Sequence, residues 1–129
     1  MNKILVEISV GELLDKISIL KIKKEKIKDP EKLKFIDDEY KVLTNQLDNN
    51  INSDKKLDEL FESLKQINSK LWLIEDEKRM CEKNSDFGEQ FVKLSRDIHF
   101  LNDDRAKIKL EINTHTGSKI KEIKQYTNY

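Results

Sequence analysis

The sequence predicts an all-α protein, an antiparallel helical bundle built around a long helical hairpin, with a short extended arm at its N-terminus. Three observations carry that reading. Lys, Glu, Leu and Ile dominate a chain with only 3 Gly and 1 Pro, too few turn residues for a many-stranded sandwich or barrel. Apolar residues recur at steps of three and four through most of its length. The interruptions are short and polar, which makes consecutive helices antiparallel neighbours. With 129 residues, 36% of them hydrophobic, the chain can bury a core of its own, and 1–129 reads as a single helical-bundle domain.

The elements follow in order. Lys3 to Val10 alternate, with Ile4, Val6 and Ile8 on one side and Lys3, Leu5 and Glu7 on the other. That is a short strand or extended arm, which must lie on helices or pair with a copy of itself, because one strand alone is not stable. Ser9 and Glu12 read as a capping box that opens the first helix, whose seam is Val10, Leu13, Ile17, Leu20 and Ile27. Asp29-Pro30 ends it and opens the second helix as N-cap and first helical residue. Leu33, Ile36, Tyr40, Leu43 and Leu47 form the second seam, and a polar stretch near 48–54 follows. The third helix runs from about Asp54 to Glu82 over Leu57, Leu60, Leu64, Ile67, Leu71 and Ile74. Asn84-Ser85-Asp86 breaks it, and Asp86 with Glu89 offers a second capping box. The fourth helix carries Phe91, Leu94, Ile98, Leu101, Arg105, Ile108 and Ile112. Residues 113–117 then read as a loop, and Ser118 as the cap of a last short helix containing Ile120, Ile123 and Tyr126.

Several function classes are disfavoured by composition. The chain has 25 Lys+Arg against 25 Asp+Glu, which argues against a general nucleic-acid binder or a polybasic membrane binder. No run of apolar residues is long enough to span a bilayer, and no signal-peptide core is visible. One cysteine, Cys81, forms no intramolecular disulfide and has no zinc-ligand spacing around it, so it reads as a small core residue. A cytoplasmic protein without a cofactor is the expectation. No G-x-S-x-G, phosphate-binding glycine loop or H-E-x-x-H occurs.

Chemistry concentrates where polar residues interrupt apolar seams. Arg105 occupies a core position of the fourth helix, where a guanidinium needs a carboxylate or a bound anion. Arg96, His99, Asp103 and Lys107 follow one another along a neighbouring face, with Asp103 to Lys107 a favourable helical pair. The third helix offers Trp72, Glu75, Asp76 and Arg79. A turn near Ser85 would set Glu75 opposite Arg96 and Trp72 opposite His99, itself expected to be packed. On the first helix, Asp15 stands out as the partner Arg105 needs, followed by Lys16. Glu12, Asp15, Glu75, Asp76 and Asp103 together could hold magnesium against a phosphate, although the acid spacing of all-α pyrophosphohydrolases is missing.

The strings VEISVGELLDKISILKIKKEKI, INSKLWLIEDEKR, FVKLSRDIHFLNDDRAKIKLEIN and GSKIKEIKQY together resemble a family of short helical proteins of unknown function from bacteria, including marine bacteria, and phage. Its members occur beside, or fused to, glycosyltransferases and tetratricopeptide-repeat proteins. The resemblance implies Asp15, Lys16, Trp72, Glu75, Asp76, Arg96, Asn102, Asp103 and Arg105 as the positions that match its motif, and it supplies no activity. The ending departs from the family's pattern between Glu122 and Tyr126.

Two expectations compete on these grounds. The first is a non-enzymatic interaction or self-association module whose partner is a second copy or another protein. The second is a binder of an anionic small molecule such as a nucleotide or nucleotide-sugar, with a magnesium-dependent phosphohydrolase behind it. An Arg105 neutralised by Asp15 and sealed off favours the first. An open cavity where Arg105 and Trp72 meet converging carboxylates favours the second.

Overall fold

The computed structural model describes residues 3–125 and 127. Four helices follow in order: α1 (Val10–Lys26), α2 (Pro30–Asn50), α3 (Lys55–Lys83) and α4 (Glu89–Thr116). No strand occurs among the described residues. The long hairpin is α3 against α4, and its antiparallel sense is visible at both ends. His115 near the end of α4 lies 2.8 Å from Asp54 at the start of α3, while Lys78 sits over the ring of Phe91. Helix α1 packs against all three others.

Local chemistry sets the helix ends. The Ser9 hydroxyl accepts the Glu12 N–H, and Asp29 accepts from Glu31 with Pro30 at the first helical position, both as expected. Asp54 caps α3 by accepting the Leu57 N–H at 2.7 Å. Glu12, however, does not reach back to complete a capping box. Its carboxylate takes the Lys109 ammonium instead.

The body of the bundle is cored by Leu14, Leu57, Leu60, Leu64 and Ile112, with Val10, Leu47, Ile51, Phe61 and Ile108 packed around them. Each such side chain contributes roughly 1.5–3 kcal/mol of burial. Gly11 lets α1 approach α4 closely. A Cβ there would stand 2.6 Å from the Lys109 carbonyl oxygen and 2.9 Å from Asn113 Oδ1. The Gly11 N–H uses that proximity to donate to Asn113 Oδ1.

Several expectations need correction. Residues 3–8 are exposed and form no strand. The fourth helix runs through the predicted loop to Thr116, because Thr114 and Thr116 hydroxyls bond back to the Leu110 and Ile112 carbonyls. Gly117, at φ 67°, then closes it in the left-handed conformation. Ser118 opens no helix of its own. It accepts from the Val10 N–H and donates to the Ile120 carbonyl, and residues 118–125 are not helical; Tyr126 lies outside the described residues. Asp86 caps no helix either, since α4 begins at Glu89 behind Gly88.

Candidate functional site

Arg105 on α4 reaches across to Asp15 on α1. Its Nε donates to Asp15 Oδ1 at 2.9 Å and its Nη2 to Oδ2 at 2.5 Å, the two-pronged geometry that a planar guanidinium allows and an ammonium does not. Asp15 is 2% exposed, and its charge survives burial because both oxygens are hydrogen-bonded. Asn68 on α3 donates to Asp15 Oδ1 at 2.9 Å and to Ser18 Oγ at 2.8 Å. The Lys109 ammonium stands 3.8 Å from Oδ2. Burial, the largest influence on this carboxyl, works to raise its pKa. The hydrogen bonds from Arg105 and Asn68, with the charges of Arg105 and Lys109, outweigh it and hold Asp15 below the usual carboxylate range. Arg105 is correspondingly held protonated by Asp15.

A second polar group flanks this one. Lys109, 8% exposed, donates to Glu12 at 2.7 Å and to Glu122 of the C-terminal tail at 3.0 Å. Burial opposes its charge most strongly, yet the two carboxylates keep its pKa raised. Lys109 in turn lowers that of Glu122.

Arg105 is neutralised but not sealed, with 28% of its side chain exposed. It forms part of the wall of a cavity of about 420 Å³, whose apolar side is Ile19, Ile22, Leu71 and Trp72. Glu75, Asp76, Arg79 and Asn102 also line it, and Asn68 joins it to the buried network. The third edge of the Arg105 guanidinium faces Asn102 Oδ1 at a loose 3.4 Å.

Among the sequence-predicted residues, the structure therefore gathers Asp15, Trp72, Glu75, Asp76, Asn102 and Arg105. It leaves Lys16, Arg96 and Asp103 outside. Arg96 precedes Arg105 by nine positions, which at about 100° per residue is half a turn around α4. With His99 it lines a shallow hollow beside Phe91, Val92 and Phe100 instead, whereas Trp72 and Glu75 line the cavity. His99 is exposed rather than packed, its ring edge-on to Phe100. The five acids expected around magnesium do not line one site: Glu12 is on Lys109, Asp15 on Arg105, and Asp103 is not part of the cavity wall. Among the described residues, no group of three His, Cys, Asp or Glu is placed to hold a metal ion.

Sequence reasoning missed Asn68, Ser18 and Lys109. The signal was present. Asn68 lies four after Leu64 and three before Leu71, a seam position, and Lys109 stands likewise between Arg105 and Ile112. A polar residue in phase with a buried seam needs a buried partner, and here both have one.

Comparison with known proteins adds one finding. The profile of a family of unknown function (DUF6165) matches residues 4–129. No curated protein and no solved structure matches the chain.

Proposed function

The chain belongs to this family of unknown function, whose description names no chemistry, and we propose from the geometry that it binds a small ligand carrying both an anionic group and hydroxyls, in the class of a nucleotide or nucleotide-sugar. The observation that carries this reading is an Arg105 that Asp15 neutralises without closing off, in the wall of a cavity shared with Trp72 and Arg79. The volume of about 420 Å³ falls in the range of small-molecule sites, which pair apolar walls with a few placed polar groups.

Each wall has a task. The indole of Trp72 offers a flat apolar surface for a ring. Arg79, which makes no ion pair among the described residues, and the outer edge of Arg105 receive the anionic group. Glu75, Asp76 and Asn102 accept from hydroxyls. The charge balance narrows the ligand further. Asp15 already meets the charge of Arg105, so the rim sets Arg79 against Glu75 and Asp76, and a bare anion suits it poorly. The glycosyltransferase context implied by the sequence resemblance favours the same class, by association only.

The test is a thermal-shift screen with a nucleoside diphosphate-sugar, a nucleoside monophosphate, a sugar phosphate and the free sugar, each with and without magnesium. A ligand present at a hundred times its dissociation constant adds about 2.7 kcal/mol, several degrees in a domain of this size. Arg79 is exposed, so Arg79→Ala should keep the melting temperature of the free protein and lose the ligand-induced shift. A flat response to all four compounds, or an undiminished shift in Arg79→Ala, refutes the reading.

A further inference from the structure

Residues 3–8 stand apart from everything described so far. They form neither helix nor strand, and none of their backbone N–H or C=O groups is hydrogen-bonded among the described residues. Their apolar side chains are open to water, with Ile4, Leu5 and Val6 at 88%, 89% and 72% exposure and Ile8 at 38%. Just behind them the chain is fixed: Ser9 is buried and caps α1. An exposed, unpaired segment whose sequence alternates like a strand, set on a rigid base, is a template for strand addition.

The arm's own sequence selects the occupant. Laid antiparallel against a second copy with Leu5 on the two-fold axis, Lys3 falls opposite Glu7, Ile4 opposite Val6, and Leu5 opposite Leu5. Both charges are then matched, twice per pair. Moving the register by two residues either way sets Leu5 against Glu7 or Lys3 instead. Within residues 3–8, one face of the resulting ribbon carries Ile4, Val6 and Ile8 of both copies, and the other is a leucine pair flanked by opposite charges. Such an interface is isologous, the commonest form of a closed dimer.

We infer that two copies of the chain associate through this arm as an antiparallel ribbon centred on Leu5, independently of any ligand in the helical cavity. A two-stranded ribbon alone is marginal. The tail supplies more apolar surface, because the Val10–Ser118 hydrogen bond ties its base to the base of the arm. Ile120 and Ile123 follow there at 39% and 77% exposure.

Charge reversal tests the register without touching the fold, since Lys3 and Glu7 are exposed. Sedimentation equilibrium should show the original chain dimerising. Lys3→Glu and Glu7→Lys each place like charges opposite one another at two positions and should weaken self-association about tenfold or more. An equimolar mixture of the two variants restores every opposite-charge pair, and should recover a dimer containing one copy of each. A monomeric original chain, unchanged association in the single variants, or no recovery in the mixture would each overturn the inference.

Discussion

The two halves of the α3–α4 hairpin are written in the same apolar rhythm, yet they reach different ends. In the half that meets α1, Leu57, Leu60, Leu64 and Ile112 are buried and every charge inside has a partner. In the half nearer the turn, Cys81 and Leu94 are the buried residues between 72 and 101, while Leu73, Met80, Phe87, Val92 and Phe100 are exposed. The cause is length. Helix α1 has 17 residues against 29 and 28 in α3 and α4, so at about 1.5 Å per residue it is roughly 17 Å shorter than either. Periodicity shows which stripe of a helix is apolar; the length of the neighbour decides how much of that stripe is covered. The candidate site lies where the cover runs out, at Ile19 and Ile22 opposite Trp72.

The contrast can be broken most severely at Asp15. Asp15→Ala leaves Arg105 half-buried without its carboxylate and should cost about 3–5 kcal/mol in denaturant unfolding. The same residue gives the covered half a pH signature. Its carboxyl is held below the usual 3.8, so its contribution is fully present above that value and is lost as the pH falls through the lower folded-state pKa. Stability measured from pH 5 downward should therefore fall more steeply in the original chain than in Asp15→Asn. Next in size is Leu64→Ala, in a fully enclosed position, at about 2–5 kcal/mol. Gly11→Ala should destabilise by about 1–3 kcal/mol despite alanine's better helix propensity, because the new methyl meets a backbone carbonyl rather than a flexible side chain. Smallest is Leu73→Ala, on the open half, within about 0.5 kcal/mol. If it matched Leu64→Ala, something in solution would have to cover the outer hairpin.

The legible and illegible parts of the sequence divide along the same line. The hairpin, the Ser9 and Asp29 caps and the Asp15–Arg105 pair could all be read, because each is a local pattern or a single conflict between charge and periodicity. Helix α1 was harder. A one-sided seam was expected, but α1 is central and buries Leu14, Asp15, Ser18 and Ile22 as well as Ile17 and Leu20, which leaves no clean polar face to mark its phase. The end of α4 was misread for another reason. Asn113, Thr114 and Thr116 look like loop residues, yet Asn113 is buried on Gly11 and the threonine hydroxyls bond back into the helix. Arg96 and Asp103 were grouped with Arg105 by proximity in sequence, and helix phase separates them.

The Asp15 network also sets a schedule for synthesis. Its partners come from residues 53 and 90 positions away along the chain. At about 5–20 residues per second, α1 leaves the ribosome some seconds before Asn68 and about 5–18 s before Arg105. Through that interval Asp15 lacks the guanidinium that balances its charge, and burying it early would carry a large desolvation penalty. The carboxylate at the centre of the folded bundle thus discourages α1 from collapsing prematurely onto an unfinished chain, until the residue that neutralises it has been made.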